Sequence, residues 1–331
     1  LGMHVETCAN EAAAAAMLGA SINYPLRGAV TWKSIVGTNV AADGLSNLCS
    51  PGVMGGALIV VGEDYGEGAS IIQERTLAMA MKSTIWLMDP RPDLQNIVDM
   101  VEHSFEMSEA SNSPVMMQLR IRSCHVQGEF IAKDNVSPDV GTKNKVADPA
   151  VFEYDKLAHP PVTFSHEKLK VSARLPAAQR YIVEHGLNEL IEGEQNSVGI
   201  IVQGGIYNIL MRRLHVMGLA DAFGNSQIPI LVLNVTHPLV PDQITDFCAG
   251  KNAVLMVEEG NPEFMEHQVN TMLRKADLNT SLHGKDVLPA AGEYTADVLQ
   301  EGLVSFLELA MPTGLNKSGI QDLVARSNAA R

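Results

Sequence analysis

The sequence reads as an α/β chain of two units, each with a mostly parallel sheet flanked by helices. Three observations carry that reading. Short apolar runs such as GAVTW (28–32) and GALIVVG (56–62) alternate with amphipathic helical patterns, as strands covered on both faces do. The alternation lapses between Arg122 and about Pro161 and then resumes. At 331 residues and 46% hydrophobic content the chain can fill two cores.

In the first unit Asn10, a good helix N-cap, precedes Glu11 and a tract of five alanines, the best helix formers. The spacing then predicts a buried strand over Gly28–Trp32, a loop holding Lys33, Ser34, Gly37 and Thr38, and a helix from about Asn39 to Leu48. The strand at 56–62 opens into Glu63-Asp64-Tyr65-Gly66-Glu67-Gly68, too acidic to cradle a phosphate by itself, and a helix is expected from about Ala69 to Met81. Thr84–Met88 is a third strand. Pro90 and Pro92 break the chain before a helix from Leu94 to about Glu109, with Ile97, Val101 and Phe105 on one face, and Pro114–Ile121 is a fourth strand.

The region rich in glycine, proline and lysine that follows reads as an interdomain connection. A polar helical stretch from about Ser165 to Glu192, interrupted near Pro176, is expected to bridge to the second unit. There the alternation gives strands Val198–Gln203, Ile228–Asn234 and Ala253–Glu258, a weak one near Ser281, and helices Ile206–Met217, Pro241–Phe247, Pro262–Lys275 and Thr295–Leu309. The expected division is 1–125 for the first domain, 126–194 for the connection and bridging helix, 195–311 for the second domain and 312–331 for a tail.

With 24 Lys plus Arg against 38 Asp plus Glu, the net charge of −14 argues against a nucleic acid or an anionic membrane as partner. No apolar run approaches the roughly 20 residues of a membrane helix, and no signal core opens the chain, so a cytoplasmic protein is expected. Cys8, Cys49, Cys124 and Cys248 are too scattered to argue a zinc or iron–sulfur site. Gln203-Gly204-Gly205 lacks the full dinucleotide fingerprint and reads as a tight strand-to-helix turn.

Glu11 is the leading candidate for chemistry: an acid among small side chains, where burial would raise its pKa. The alternative is a first-turn acid that complements the helix dipole on a solvated face. Lys33 and Asn39 lie near a strand's carboxyl end, where open α/β sheets place ligands; a solvated lysine and a capping asparagine suit those positions equally. Asp64, Gln73 and Glu74 follow another such end. Arg120, Arg122 and His125 end the fourth strand, where a lone histidine is usually not a ligand.

The runs NEAAAAAMLGAS, GAVTWKSIVGTNVAADGL and GVMGGALIVVGEDYGEGASIIQER, with VGIIVQGGIYNIL, THPLVP and VLMVEEGNPEFMEHQV further on, resemble the alpha subunit of indolepyruvate ferredoxin oxidoreductases. These are thiamine-diphosphate enzymes of the 2-oxoacid:ferredoxin oxidoreductase family. The resemblance implies a pyrimidine-binding domain, here truncated at its amino end, followed by a transketolase carboxy-terminal-like domain. It implies oxidative decarboxylation of a 2-oxoacid with coenzyme A, electrons passing to ferredoxin. Glu11 would occupy the position of the glutamate that hydrogen-bonds the aminopyrimidine ring and stabilises its imino tautomer. Asn10 and Asn39 would join it at the cofactor, and Lys33 and Asp64 would face the substrate.

Three departures limit the likeness. The family's amino-terminal strand with its GYPGTPS-like segment, its diphosphate domain and its cysteine-rich region have no counterpart here. Ala42-Asp43-Gly44 only superficially matches the GDG that begins the magnesium-diphosphate motif, because it falls inside a helical stretch. Mg2+ and the diphosphate would be held elsewhere, [4Fe-4S] clusters would lie outside this chain, and an oligomer with a diphosphate-binding domain and a further subunit is expected. Since the chain begins at Leu1, it is expected to be a piece of a longer protein, inactive alone. A non-redox thiamine decarboxylase or transferase subunit, or a non-catalytic assembly subunit, are the rival readings.

Overall fold

The computed structural model describes residues 3–63, 65–66, 72–136, 153–312, 315 and 317–329. They fall into two compact units: Leu1–Asp64 with Ile72–His185, and Tyr65–Ile71 with Gly186–Arg331. Both are α/β, with mostly parallel sheets.

The first unit runs through α1 (Glu11–Leu18), β1 (Gly28–Lys33), α2 (Val36–Cys49), β2 (Ala57–Glu63), α3 (Thr76–Ser83), β3 (Trp86–Met88), α4 (Leu94–Ser111), β4 (Val115–Arg120), α5 (Ile121–Cys124), α6 (Val162–Leu169) and α7 (Leu175–Glu184). Its strands lie in the order β1-β2-β4-β3, all parallel, with Val30 opposite Ile59, Val60 opposite Met117 and Leu87 opposite Met116. Parallel strands need long crossovers, which is why helices separate them. Ala57, Leu58, Ile59 and Val61 of β2 are buried, as an unbroken apolar run in a covered sheet requires.

Several boundaries differ from those expected. Helix α2 starts at Val36, so Gly37, Thr38 and Asn39 form its first turn instead of a loop, and Asn39 does not cap it. Helix α3 starts at Thr76 and not near Ala69, because Oε1 of Glu63 receives the Thr76 N–H at 3.0 Å and closes the helix there. On α4 the buried stripe is Met100, Ser104, Met107, Ser108 and Ser111, while Ile97, Val101 and Phe105 are half-buried. Serine can face the sheet because Ser104 and Ser111 return their hydroxyls to the carbonyls of Met100 and Met107, at 2.7 and 2.6 Å. Ser108 instead accepts the Ala57 N–H at 3.0 Å, tying α4 to the start of β2.

The helical stretch expected as a bridge groups with the first unit and stops at Glu184. Its break is a π-turn over Lys170–Arg174, after which Pro176 sits in the first turn of α7, where its missing N–H costs nothing. Arg174 is buried and donates to the carbonyls of Cys49, Ser50 and Pro51, capping the end of α2. Glu189–Ile191, expected in that helix, is a strand.

The second unit runs through β5 (Glu189–Ile191), β6 (Val198–Gln203), α8 (Tyr207–Met217), β7 (Ile230–Leu233), β8 (Val235–His237), α9 (Pro241–Cys248), β9 (Ala253–Val257), α10 (Phe264–Lys275), β10 (Ser281–His283), α11 (Ala296–Ala310) and α12 (Lys317–Ala329). Its sheet has the order β10-β9-β6-β7-β5, with β5 alone antiparallel to its neighbour. Gly204–Ile206 is a short 3-10 turn between β6 and α8. Glu258, just past β9, receives the N–H groups of Met265 and Glu266 at 3.0 and 2.9 Å and closes the start of α10. Burial pushes its carboxyl up to about 7.

The expected tail carries α12, whose Ile320 and Leu323 join the core of this unit beside Leu214 and Phe306. Truncation after Met311 is therefore expected to lower the stability of the second unit by about 3–6 kcal/mol, from two buried aliphatic side chains. Urea unfolding followed by far-UV circular dichroism measures it, and an unchanged midpoint would show that α12 is not part of the core. Among the described residues no helix is long and apolar enough to cross a membrane.

Candidate functional site

The first unit gathers its chemistry where α1 packs on α2 and where the parallel strands end. Asn10 caps α1 by accepting the Ala13 N–H on its side-chain oxygen at 2.9 Å, which fixes Glu11 as the first helical residue. Ala15 is fully buried, and its Cβ stands 3.0 Å from where a β-carbon on Gly44 would be. Side chains this small let the two helices approach closely. Gly44 is inside α2, so Ala42-Asp43-Gly44 is a packing surface and not a phosphate loop.

Gly37 is the floor of the niche. A β-carbon there would meet the Trp32 ring at 2.7 Å and Cγ of Glu11 at 3.0 Å, so the indole and the glutamate lie over the same glycine. Glu11 is half-buried, and among the described residues nothing bonds its carboxylate. It is thus a carboxylic group held by its backbone at a helix N-terminus, with its oxygens uncommitted and an aromatic wall beside it.

The other expected site residues are placed unevenly. Lys33 is exposed and is the last residue of β1, in register with Gly62. Asn39 is exposed, and its amide donates to Glu74 Oε2 at 3.1 Å, which joins the two strand-end segments that the sequence singled out. Gln73 is exposed outside α3. Asp64 lies outside the described residues. Arg122 is in α5, and His125 is exposed just beyond it.

Sequence reasoning passed over two groups at the carboxyl end of this sheet. Arg120 and Asp89 form a buried two-point ion pair, Nη2 to Oδ2 at 2.7 Å and Nε to Oδ1 at 3.3 Å, with exposures of 3% and 1%. Glu63, one rung across from Arg120, is 1% exposed. Its Oε1 takes the Thr76 N–H, whereas its Oε2 is buried without a hydrogen-bond partner among the described residues. The local signal was slight: Glu63 follows Gly62 at the end of the apolar run and is the first of several acids.

Burial pushes the Glu63 carboxyl up from the ordinary 4.5 to about 7, against the opposing pull of Thr76, Arg120 and Arg75. An acid whose folded pKa is raised contributes stability below its unfolded pKa, and that contribution is lost as pH rises toward the folded value. The window is therefore about 4.5 to about 7. A rise of that size corresponds to roughly 3 kcal/mol at most. Glu63→Gln is expected to match the wild type below about pH 4 and to exceed it at about pH 8 by up to that amount. Parallel urea titrations check it, and a variant less stable at the higher pH would mean that the charged form is favoured by the fold.

Around Glu63 runs a buried line of hydroxyls. Thr76 Oγ1 and Ser34 Oγ are 2.6 Å apart, Ser34 Oγ and Thr38 Oγ1 are 3.3 Å apart, and the Trp32 Nε1–H donates to Thr38 Oγ1 at 3.0 Å. All four residues are buried.

No family profile matches the chain. It is similar to the indolepyruvate oxidoreductase subunit IorA of Methanothermobacter thermautotrophicus, at 26% identity over 307 residues, covering 91% of this chain and 47% of that relative. The IorA subunit of Pyrococcus abyssi is 28% identical over 86% of this chain and 42% of its own length. The chain therefore spans about half the length of the curated relatives it matches. Among solved structures, a 2-oxoglutarate:ferredoxin oxidoreductase from Magnetococcus marinus, with 2-oxoglutarate, coenzyme A and succinyl-CoA bound, aligns with a TM-score of 0.60 at 17% identity, covering 92% of this chain and 57% of that one. A split-gene transketolase aligns with a TM-score of 0.51 at 16% identity, covering 98% and 82%. At these identities the solved structures establish the fold alone.

Proposed function

We propose that the chain is part of a thiamine-diphosphate-dependent 2-oxoacid oxidoreductase of the indolepyruvate type. The whole enzyme would convert a 2-oxoacid and coenzyme A to an acyl-CoA in the cytoplasm and hand the electrons to ferredoxin. The curated relatives' names support the indolepyruvate-type reading. The single structural observation that carries it is the uncommitted Glu11 carboxyl over Gly37, beside Trp32.

That niche suits the ring half of the cofactor. A carboxyl with free oxygens matches a ring nitrogen that needs a proton shared with it, and the bare glycine lets Glu11 and the indole pack side by side on the first turn of α2. Mg2+ and the diphosphate would be held by a domain outside this chain, and the [4Fe-4S] clusters would lie outside it too. When bound, the cofactor supplies the carbanion chemistry of decarboxylation.

This chain's residues would bind, orient and manage protons. Glu11 would share its proton with the ring nitrogen. Asn10, whose side-chain oxygen is spent on the cap, would offer only its amide hydrogens. Asn39 would present its amide from the first turn of α2, still held by Glu74. Lys33, at the strand end, and Asp64 would face the 2-oxoacid.

The rival within enzymes is a non-redox thiamine decarboxylase or transferase, which the likeness to the split-gene transketolase keeps in view. Product analysis of the assembled enzyme separates them. The proposed reading expects 2-oxoacid consumption matched by dye reduction and dependent on coenzyme A. Aldehyde release without dye reduction would establish the rival, and no consumption at all would leave a non-catalytic assembly subunit.

A further inference from the structure

The buried acid at the end of β2 has no part in the chemistry above, yet the hydroxyl line ties it to the wall of the Glu11 niche. The geometry points to Glu63 as a positioning residue: through Thr76, Ser34 and Thr38 it orients the Trp32 indole beside Glu11, and its ionisation sets the direction of that hydroxyl chain.

The argument starts at the indole, whose N–H can only donate. Thr38 Oγ1 receives it, which leaves the Thr38 hydroxyl hydrogen to be given away, and Ser34 Oγ is 3.3 Å distant. Ser34 in turn stands 2.6 Å from Thr76, whose N–H bonds Glu63 Oε1 at 3.0 Å and whose side chain, with that N–H, pulls the Glu63 carboxyl toward its charged form. An ionised carboxylate accepts only, so it draws every hydrogen of the line toward itself. Protonation at Oε2 removes the charge that polarises the line and lets its middle reverse. Because the line is buried, no bulk water competes for these bonds, and polarity set at one end reaches the other.

The charges that face Glu63 are the guanidinium groups of Arg120, on β4, and Arg75, just ahead of α3. Arg120 is itself engaged by Asp89, and Lys33 ends the neighbouring strand. Glu63 is pushed up to about 7, so both states are populated near neutral pH. The buried Oε2 without a partner is where the proton would sit.

The catalytic consequence rests on the proposed role of Glu11, whereas the link from Glu63 to Trp32 does not. The test uses the full chain, labelled with 15N at its two tryptophans, Trp32 and Trp86. Trp86 is an internal control: it is fully buried and donates to Ser111 Oγ at 2.7 Å. The expected result is a Trp32 indole signal that moves with one midpoint near neutral pH while the Trp86 signal stays still. Glu63→Gln flattens the Trp32 curve. Thr76→Val, which keeps the backbone donor and the side-chain shape but removes the hydroxyl, flattens it too and leaves Glu63 in place.

A Trp32 signal that does not titrate, or one that titrates unchanged in either variant, overturns the inference. In the assembled enzyme, Glu63→Gln is expected to flatten the pH profile of kcat around neutrality with KM unchanged. A kcat profile identical to the wild type's overturns the positioning role even where the indole titrates. If Glu11→Gln leaves turnover intact while Trp32 titrates through Glu63, the cofactor reading fails and the relay stands.

Discussion

Glu11→Gln in the assembled enzyme is expected to cut 2-oxoacid-dependent dye reduction by roughly 100-fold or more, the usual size of an acid–base contribution. Glutamine fills the same space over Gly37 and beside Trp32, so the niche keeps its shape. It cannot hold or release a proton at the ring nitrogen. The fold should survive, since a first-turn acid adds only about 0.3–1 kcal/mol at a helix N-terminus and the Asn10 cap remains. Unchanged circular dichroism together with the lost rate is the expected pair of observations. Undiminished turnover would reduce Glu11 to a solvated first-turn acid and remove the chemical centre of the proposed function.

Asp89→Asn is expected to lower the stability of the first unit by about 3–5 kcal/mol. The pair with Arg120 is almost wholly buried, and the variant leaves the guanidinium charge in the interior without its full counter-charge. Both tryptophans lie in the first unit, so their fluorescence follows this unit through urea unfolding without a contribution from the second. A loss below about 1 kcal/mol would show that water reaches the pair and makes it equivalent to a surface ion pair.

How much of this was legible varied with the kind of information each element holds. Strand β6 coincides with the expected Val198–Gln203, because five consecutive apolar or small residues between Ser197 and Gln203, followed by two glycines, admit few other readings. The start of α3 was misplaced because its cap is not local: the acceptor comes from Glu63, thirteen positions earlier. The buried stripe of α4 was misjudged for a related reason. Its serines satisfy their own hydroxyls inside the helix, so they pack like small apolar residues, which hydropathy cannot register.

At the candidate site, Glu11 stood out because a single acid beside five alanines is a local contrast. Glu63 did not. It sits in a run of acids, and only its neighbours across the sheet and in α3 make it the buried member of that run.

By itself the amino-acid order determined the alternation of strand and helix, the small-residue surface of α1 and the place of the one acid on it. These follow from side-chain size and hydropathy read over a few positions. Tertiary structure alone decided which charges are buried, that Arg120 meets Asp89, that Trp32 and Glu11 share one glycine, and that four hydroxyl and indole groups connect them to Glu63. Those relations join residues from separate strands and helices. Their energies depend on the removal of water, which only the packed chain brings about.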